Sequence, residues 1–136
     1  YGKTFSTLGK MLDPITQDSC AFYERTAIFA DYDGVANGPD EGINIAKALG
    51  DKEFCILQNH GILTTGSMVD TAVWYFLNME DACKSQLLAE AVGKPKVIPH
   101  DTACATRDYV ANDLSAFVSF QPTIDVLWEE EPDLLD

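Results

Sequence analysis

A chain of 136 residues suits one domain with a real core and is too short for two ordinary ones. Hydrophobic residues make up 46% and charged residues 23%, the balance of a soluble globular protein, and no apolar run approaches the about 20 residues needed to span a bilayer. Nine basic against 22 acidic residues leave a formal net charge of −13, which argues against nucleic acid and anionic membranes as partners, since binding phosphates needs a basic face. Part of the acidic excess (Asp125, Glu129, Glu130, Glu131, Asp133, Asp136) falls in residues 121–136, which read as a solvated acidic tail. No signal-peptide pattern opens the chain. Tyr1 is followed at once by structured-looking sequence, which implies that the natural beginning lies upstream. The four cysteines (Cys20, Cys55, Cys83, Cys104) form no Cys-x-x-Cys pair and lie among apolar neighbours, the pattern of buried, reduced thiols in a cytoplasmic protein.

Residues 1–12 fit either a short helix or a strand and turn. Asp13-Pro14 marks a turn, and Thr16 is placed to cap a short helix from Gln17 to about Tyr23. Ala27 to Ala30 suits a brief buried strand, and Asp31 to Gly38 a loop. Asp40 begins a helix with an apolar stripe of Ile43, Ile45, Ala46 and Leu49, stopped by Gly50. Phe54 to Leu57 reads as a central buried strand and Ile62 to Thr65 as its return. Ser67 and Asp70 form a variant capping box for a long helix reaching Val92. Val69, Val73, Phe76, Leu77, Met79, Cys83, Leu87 and Leu88 are its expected apolar face, with Phe76 on the sheet and Trp74 or Tyr75 free for a subunit contact. Gly93-Lys94-Pro95 ends that helix, and another is expected from about Thr102 to Phe120, before Pro122. Alternating strands and helices make a layered α/β or α+β domain.

The two histidines are His60 and His100. His60 stands where a buried strand breaks at Gly61, a good place to present an imidazole. On spacing alone, a turn histidine bonded to local backbone is the more frequent arrangement, because a catalytic zinc takes three protein ligands and an open position and one histidine cannot supply them. His100, beside Asp101, reads as oriented on that carboxylate or capping the next helix.

The string Asn59-His60-Gly61-Ile62-Leu63-Thr64-Thr65-Gly66, the helix after it and the upstream Gly2-Lys3-Thr4-Phe5-Ser6 together resemble a class II aldolase/adducin domain. The resemblance covers most of the chain to about Val92. It implies a three-layer α/β/α fold with a mixed, largely antiparallel central sheet, of which this single, partial domain (1–136) lacks the N-terminal strands. It also implies a divalent metal, zinc or another, with His60 as one of three histidine ligands. The other two form a His-x-His pair that belongs before Tyr1, as do the phosphate-binding turns and the acid/base carboxylate, so no catalytic residue is assigned here. The implied activity is that of a metal-dependent lyase or epimerase on a sugar phosphate or related keto substrate, in a homo-oligomer. The alternatives are an adducin-head-like assembly module with a cytoskeletal partner, or an inactive truncated paralogue. Gln17 stands near where some aldolase members carry a tyrosine from a neighbouring subunit, and an amide is no proton donor of that kind. Asp18 and Tyr23 lie close by, with surface solvation expected for the first and core packing for the second.

Overall fold

A computed structural model describes residues 1–31, 34 and 39–135, so the loop expected over 31–38 lies almost wholly outside the described residues. Helix α1 (Gly2–Ser6) is followed by a 3-10 turn at Asp18–Phe22, strand β1 (Thr26–Phe29), helix α2 (Pro39–Leu49), and strands β2 (Phe54–Leu57) and β3 (Gly61–Thr64). Helices α3 (Val69–Val92), α4 (His100–Val110) and α5 (Asp113–Glu130) complete it, with a last 3-10 turn at Pro132–Leu135. The sheet order is β1-β2-β3, with β1 parallel and β2 antiparallel to its successor, so the sheet is mixed as expected.

Side chains alternate across β2, and this alternation builds two cores. Phe54 and Ile56 face Phe5 of α1, Phe22, and Tyr75, Met79 and Cys83 of α3, with Ala116 of α5 also in that cluster. Cys55 and Leu57 face the other way, with Ala27 and Phe29 of β1, and Ile45, Ala48 and Leu49 of α2 pack against them. Helices therefore cover both faces, which makes three layers. The register, Ala27 against Cys55 and Phe29 against Leu57, keeps like faces together.

Three sequence expectations are corrected here. The apolar face of α3 is the expected one only in part: Met79 and Cys83 are buried and Leu87 packs against the core, but Val69 is 78% exposed, Phe76 41% and Leu77 49%, and Leu88 is exposed too. The buried stripe is Thr71, Tyr75, Met79, Ala82, Cys83 and Gln86. Its spacing is helical, but two members are polar and stay buried because their polar atoms are bonded. The Thr71 hydroxyl accepts from the Met68 N–H (3.1 Å) and donates to the Met68 carbonyl (2.8 Å). Gln86 accepts from the Asp13 N–H (2.8 Å) and donates to Asp13 Oδ2 (2.9 Å). Tyr75 is consequently no surface contact; it lies 2% exposed between Phe54 and Trp74.

The capping box also shifts by one residue. Thr71, not Asp70, closes on the cap at Met68, while Ser67 donates to Asp113 Oδ2 at 2.6 Å and ties the start of α3 to α5. Finally, the single helix expected over 102–120 is two. Ala111 leaves helical geometry, and the Asn112 side chain accepts from the Ser115 N–H at 2.9 Å to start α5 afresh. Pro122 sits inside α5 rather than ending it. Its missing donor would have bonded the carbonyl of Val118, an exposed residue, and the helix continues to Glu130 with its acidic end exposed.

Candidate functional site

Leu57 and Gly61 close the β2–β3 hairpin, leaving Gln58, Asn59 and His60 as its loop. The His60 N–H donates to the Leu57 carbonyl at 2.9 Å, which makes a four-residue turn. Asn59 takes φ +60, the left-handed conformation that Asn tolerates better than most residues. Gly61 follows at φ +155, and a Cβ there would lie 3.7 Å from Lys3 Cγ, so the Lys3 stem runs beside the turn.

The turn is braced from both neighbouring segments. The Gln58 N–H donates to the Phe29 carbonyl at the end of β1 (2.9 Å), and the Asn59 N–H to the Ser6 carbonyl at the end of α1 (3.4 Å). Because β1 and β2 are parallel, both end on this side of the sheet. The local backbone bonds are thus made by main-chain groups, and the exposed His60 imidazole has no hydrogen-bond partner among the described residues.

His100 does not orient on Asp101. Its Nδ1 lies 3.2 Å from the Tyr23 hydroxyl and 3.7 Å from Glu24 Oε1, and the Tyr23 and His100 rings meet edge to face at 5.9 Å. Cys104, one turn along α4, brings its Sγ within 3.8 Å of the same Nδ1 and 3.7 Å of Glu24 Oε2. Cys104 is therefore not one of the buried thiols; Cys20, Cys55 and Cys83 are. Tyr23 is half-buried and bonded to His100 instead of packed in the core, whereas Asp18 and Gln17 are exposed. The sequence reading missed Glu24 and Cys104. The four-residue spacing of His100 and Cys104 was legible on a helix, but Glu24 comes from far along the chain and nothing local marked it.

Metal-ligating atoms of Glu24, His100 and Cys104 lie within 4.8 Å of one another, and no such trio among the described residues includes His60. Among the described residues no helix is long and apolar enough to cross a membrane.

Helices on both faces of a mixed sheet, with a histidine turn at its strand ends, define a class II aldolase-type domain. The chain belongs to the class II aldolase and adducin N-terminal domain family, which residues 1–87 match. The decarboxylase NovR of Streptomyces niveus is 38% identical over 134 residues, 98% of this chain and 50% of that protein. A 4-hydroxy-3-prenylphenylpyruvate oxygenase/4-hydroxy-3-prenylbenzoate synthase of Streptomyces roseochromogenus is 37% identical over 134 residues, 98% of this chain and 48% of its own length. Among solved structures, the L-fuculose 1-phosphate aldolase from Glaciozyma antarctica superposes with a TM-score of 0.87 at 38% identity, covering 98% of this chain and 50% of that one. The chain spans about half the length of the curated relatives it matches.

Proposed function

We propose that this chain is part of a divalent-metal enzyme that breaks a carbon–carbon bond beside a carbonyl, with His60 as one metal ligand. The observation that carries this reading is the presentation of His60, an exposed imidazole on a turn whose backbone is tied to α1, β1 and β2. A neutral imidazole suits zinc and related ions, and a rigid turn holds it without a side-chain partner of its own. The remaining ligands would come from sequence outside this chain, for which the relatives' greater length leaves room. When bound, such an ion polarises a carbonyl oxygen and stabilises the charge that develops on it.

The chain's own residues then have two tasks. Asn59 and Gly61 fix the direction of the imidazole, and Lys3 beside Gly61 brings a cation to the same end of the sheet, suited to an anionic substrate. A sugar phosphate or a keto acid both meet that requirement. The names of the relatives, a sugar-phosphate aldolase and an arylpyruvate enzyme, support a small keto substrate with oxygens on adjacent carbons. A cytoplasmic homo-oligomer is part of the same proposal.

The test compares metal content of the full-length protein with its His60→Ala variant. About one zinc or similar ion per chain should fall to near none, and turnover of a ketose 1-phosphate or an arylpyruvate should drop about 100-fold or more. Equal metal content in the two proteins sinks the assignment. One observation favours a second reading, an assembly module of the adducin kind with a cytoskeletal partner. Val69, Val73 and Phe76 leave an apolar depression open on α3, next to Thr64 and Ala72. Full-length protein without metal, sedimenting with actin filaments, would favour that reading.

A further inference from the structure

We propose that Glu24, His100 and Cys104 form a separate site for zinc or a similar thiophilic divalent ion, one that clips α4 to the segment ahead of β1. It does not depend on His60. His100 and Cys104 are four residues apart on α4 and so share a face of that helix. Glu24 meets them from just beyond the 3-10 turn, with its backbone at φ +60, a conformation uncommon outside glycine.

The spacing of the donor atoms is close to that of ligands around a metal ion. Zinc bonds of about 2.0–2.3 Å at tetrahedral angles put neighbouring ligand atoms about 3.4–3.6 Å apart. Here His100 Nδ1 lies 3.7 Å from Glu24 Oε1 and 3.8 Å from Cys104 Sγ, and one ligand atom from each of the three residues lies within 4.8 Å of the others. The nitrogen–oxygen pair is too long for a hydrogen bond and within a few tenths of an ångström of a tetrahedral edge.

The donor set of one thiolate, one imidazole and one carboxylate is a zinc-type combination. Arg107 Nη1 lies 3.3 Å from Glu24 Oε2, which leaves Oε1, the oxygen nearer His100, as the ligand. The side chains of His100 and Glu24 are 60% and 51% exposed, so the fourth position is open to water. On binding, the Cys104 thiol loses its proton to solvent and the thiolate takes the ion, so affinity rises with pH. The ion must displace the Tyr23 hydroxyl, 3.2 Å from His100 Nδ1, and compete with the Arg107 ion pair, which makes this a weaker site than one of four uncontested ligands.

Cobalt(II) reports the site directly, because a cobalt–thiolate bond gives a charge-transfer band in the near ultraviolet that nitrogen and oxygen ligands do not. The full-length protein is titrated with cobalt and then with competing zinc, beside the Cys104→Ser, His100→Ala and His60→Ala variants. The expected result is a band in the wild type that zinc abolishes, kept in His60→Ala, absent in Cys104→Ser, and weakened about tenfold or more in affinity in His100→Ala. A wild-type spectrum indistinguishable from that of Cys104→Ser overturns the proposal. So does an affinity unchanged in His100→Ala, a substitution at an exposed side chain that leaves the thiol in place.

Discussion

Asn59 holds φ +60 in the turn that carries His60, a backbone region that costs most L-residues about 1–2 kcal/mol. Its neighbours leave it little choice, because the His60 N–H and the Asn59 N–H are both committed to fixed carbonyls. Asn59→Ala should therefore lower stability by about 1 kcal/mol, while Asn59→Gly should change it by less than half of that, read from urea denaturation midpoints. Equal losses in the two variants would show that the side-chain amide, not the backbone, is what the position needs. Cysteine chemistry divides the same way by environment. Burial, with a smaller contribution from Glu80, pushes the Cys83 thiol up to about 12, so it stays protonated in the folded protein. Thiol labelling mapped by peptide mass should modify Cys104 first and reach Cys83, Cys20 and Cys55 only on unfolding. Fast labelling of Cys83 in the native protein would contradict its burial.

The start of α3 shows how an element can be right in extent and wrong in orientation when read from sequence. Its limits, Val69 and Val92, were legible from Ser67-Gly66 before it and Gly93-Lys94-Pro95 after it. Its facing was not, because counting apolar residues weights Val69, Val73, Phe76 and Leu77 above Thr71 and Gln86. The latter two are fully buried because their hydrogen bonds are internal, which no local pattern reveals. Thr71→Val keeps the volume and removes those bonds, leaving the Met68 N–H without its partner. The expected loss is about 1–2 kcal/mol in thermal or chemical unfolding. No measurable loss would mean that water replaces the hydroxyl at the helix start. Close approach adds to this constraint: a Cβ on Gly66 would lie 2.3 Å from Thr71 Oγ1 and 2.6 Å from the Ala72 nitrogen. The split between α4 and α5 was hidden for a related reason, since Pro122 looks like a terminator and Asn112 like any polar residue. What decides between them is the cap bond from the Ser115 N–H to the Asn112 side chain, which restarts the helix.

Across the whole molecule, the strands and their layering were readable from short apolar runs with turn signals at their ends. The meeting of Glu24 with α4 was not, because it depends on how the long connection after α3 returns to the 3-10 turn. That return passes a small half-buried polar knot. Lys10 and Gln86 both bond Glu90, Gln86 also holds Asp13, and the Ile98 N–H donates to the Pro14 carbonyl at 2.8 Å. The Lys10 and Gln86 bonds hold the Glu90 carboxyl below the usual carboxylate range. The folded state thus takes up a proton there less readily than the unfolded chain. Its contribution is intact above the ordinary carboxylate value and is lost as the pH falls through the depressed one. Glu90 is partly exposed, so the effect is small, but Glu90→Gln should flatten the acid limb of the stability profile. A profile of unchanged slope would place the acid sensitivity elsewhere among the 22 acidic residues.

The hairpin that presents His60 also bears on the time course of folding. Its two strands are joined by only three residues, whereas β1 must find β2 in parallel across residues 30–53. Closing the short loop sacrifices far less chain entropy, and hairpins of this kind form within microseconds. The turn under the imidazole is thus the part of the sheet whose closure sacrifices least chain entropy, and the pairing with β1 adds a second brace through Gln58.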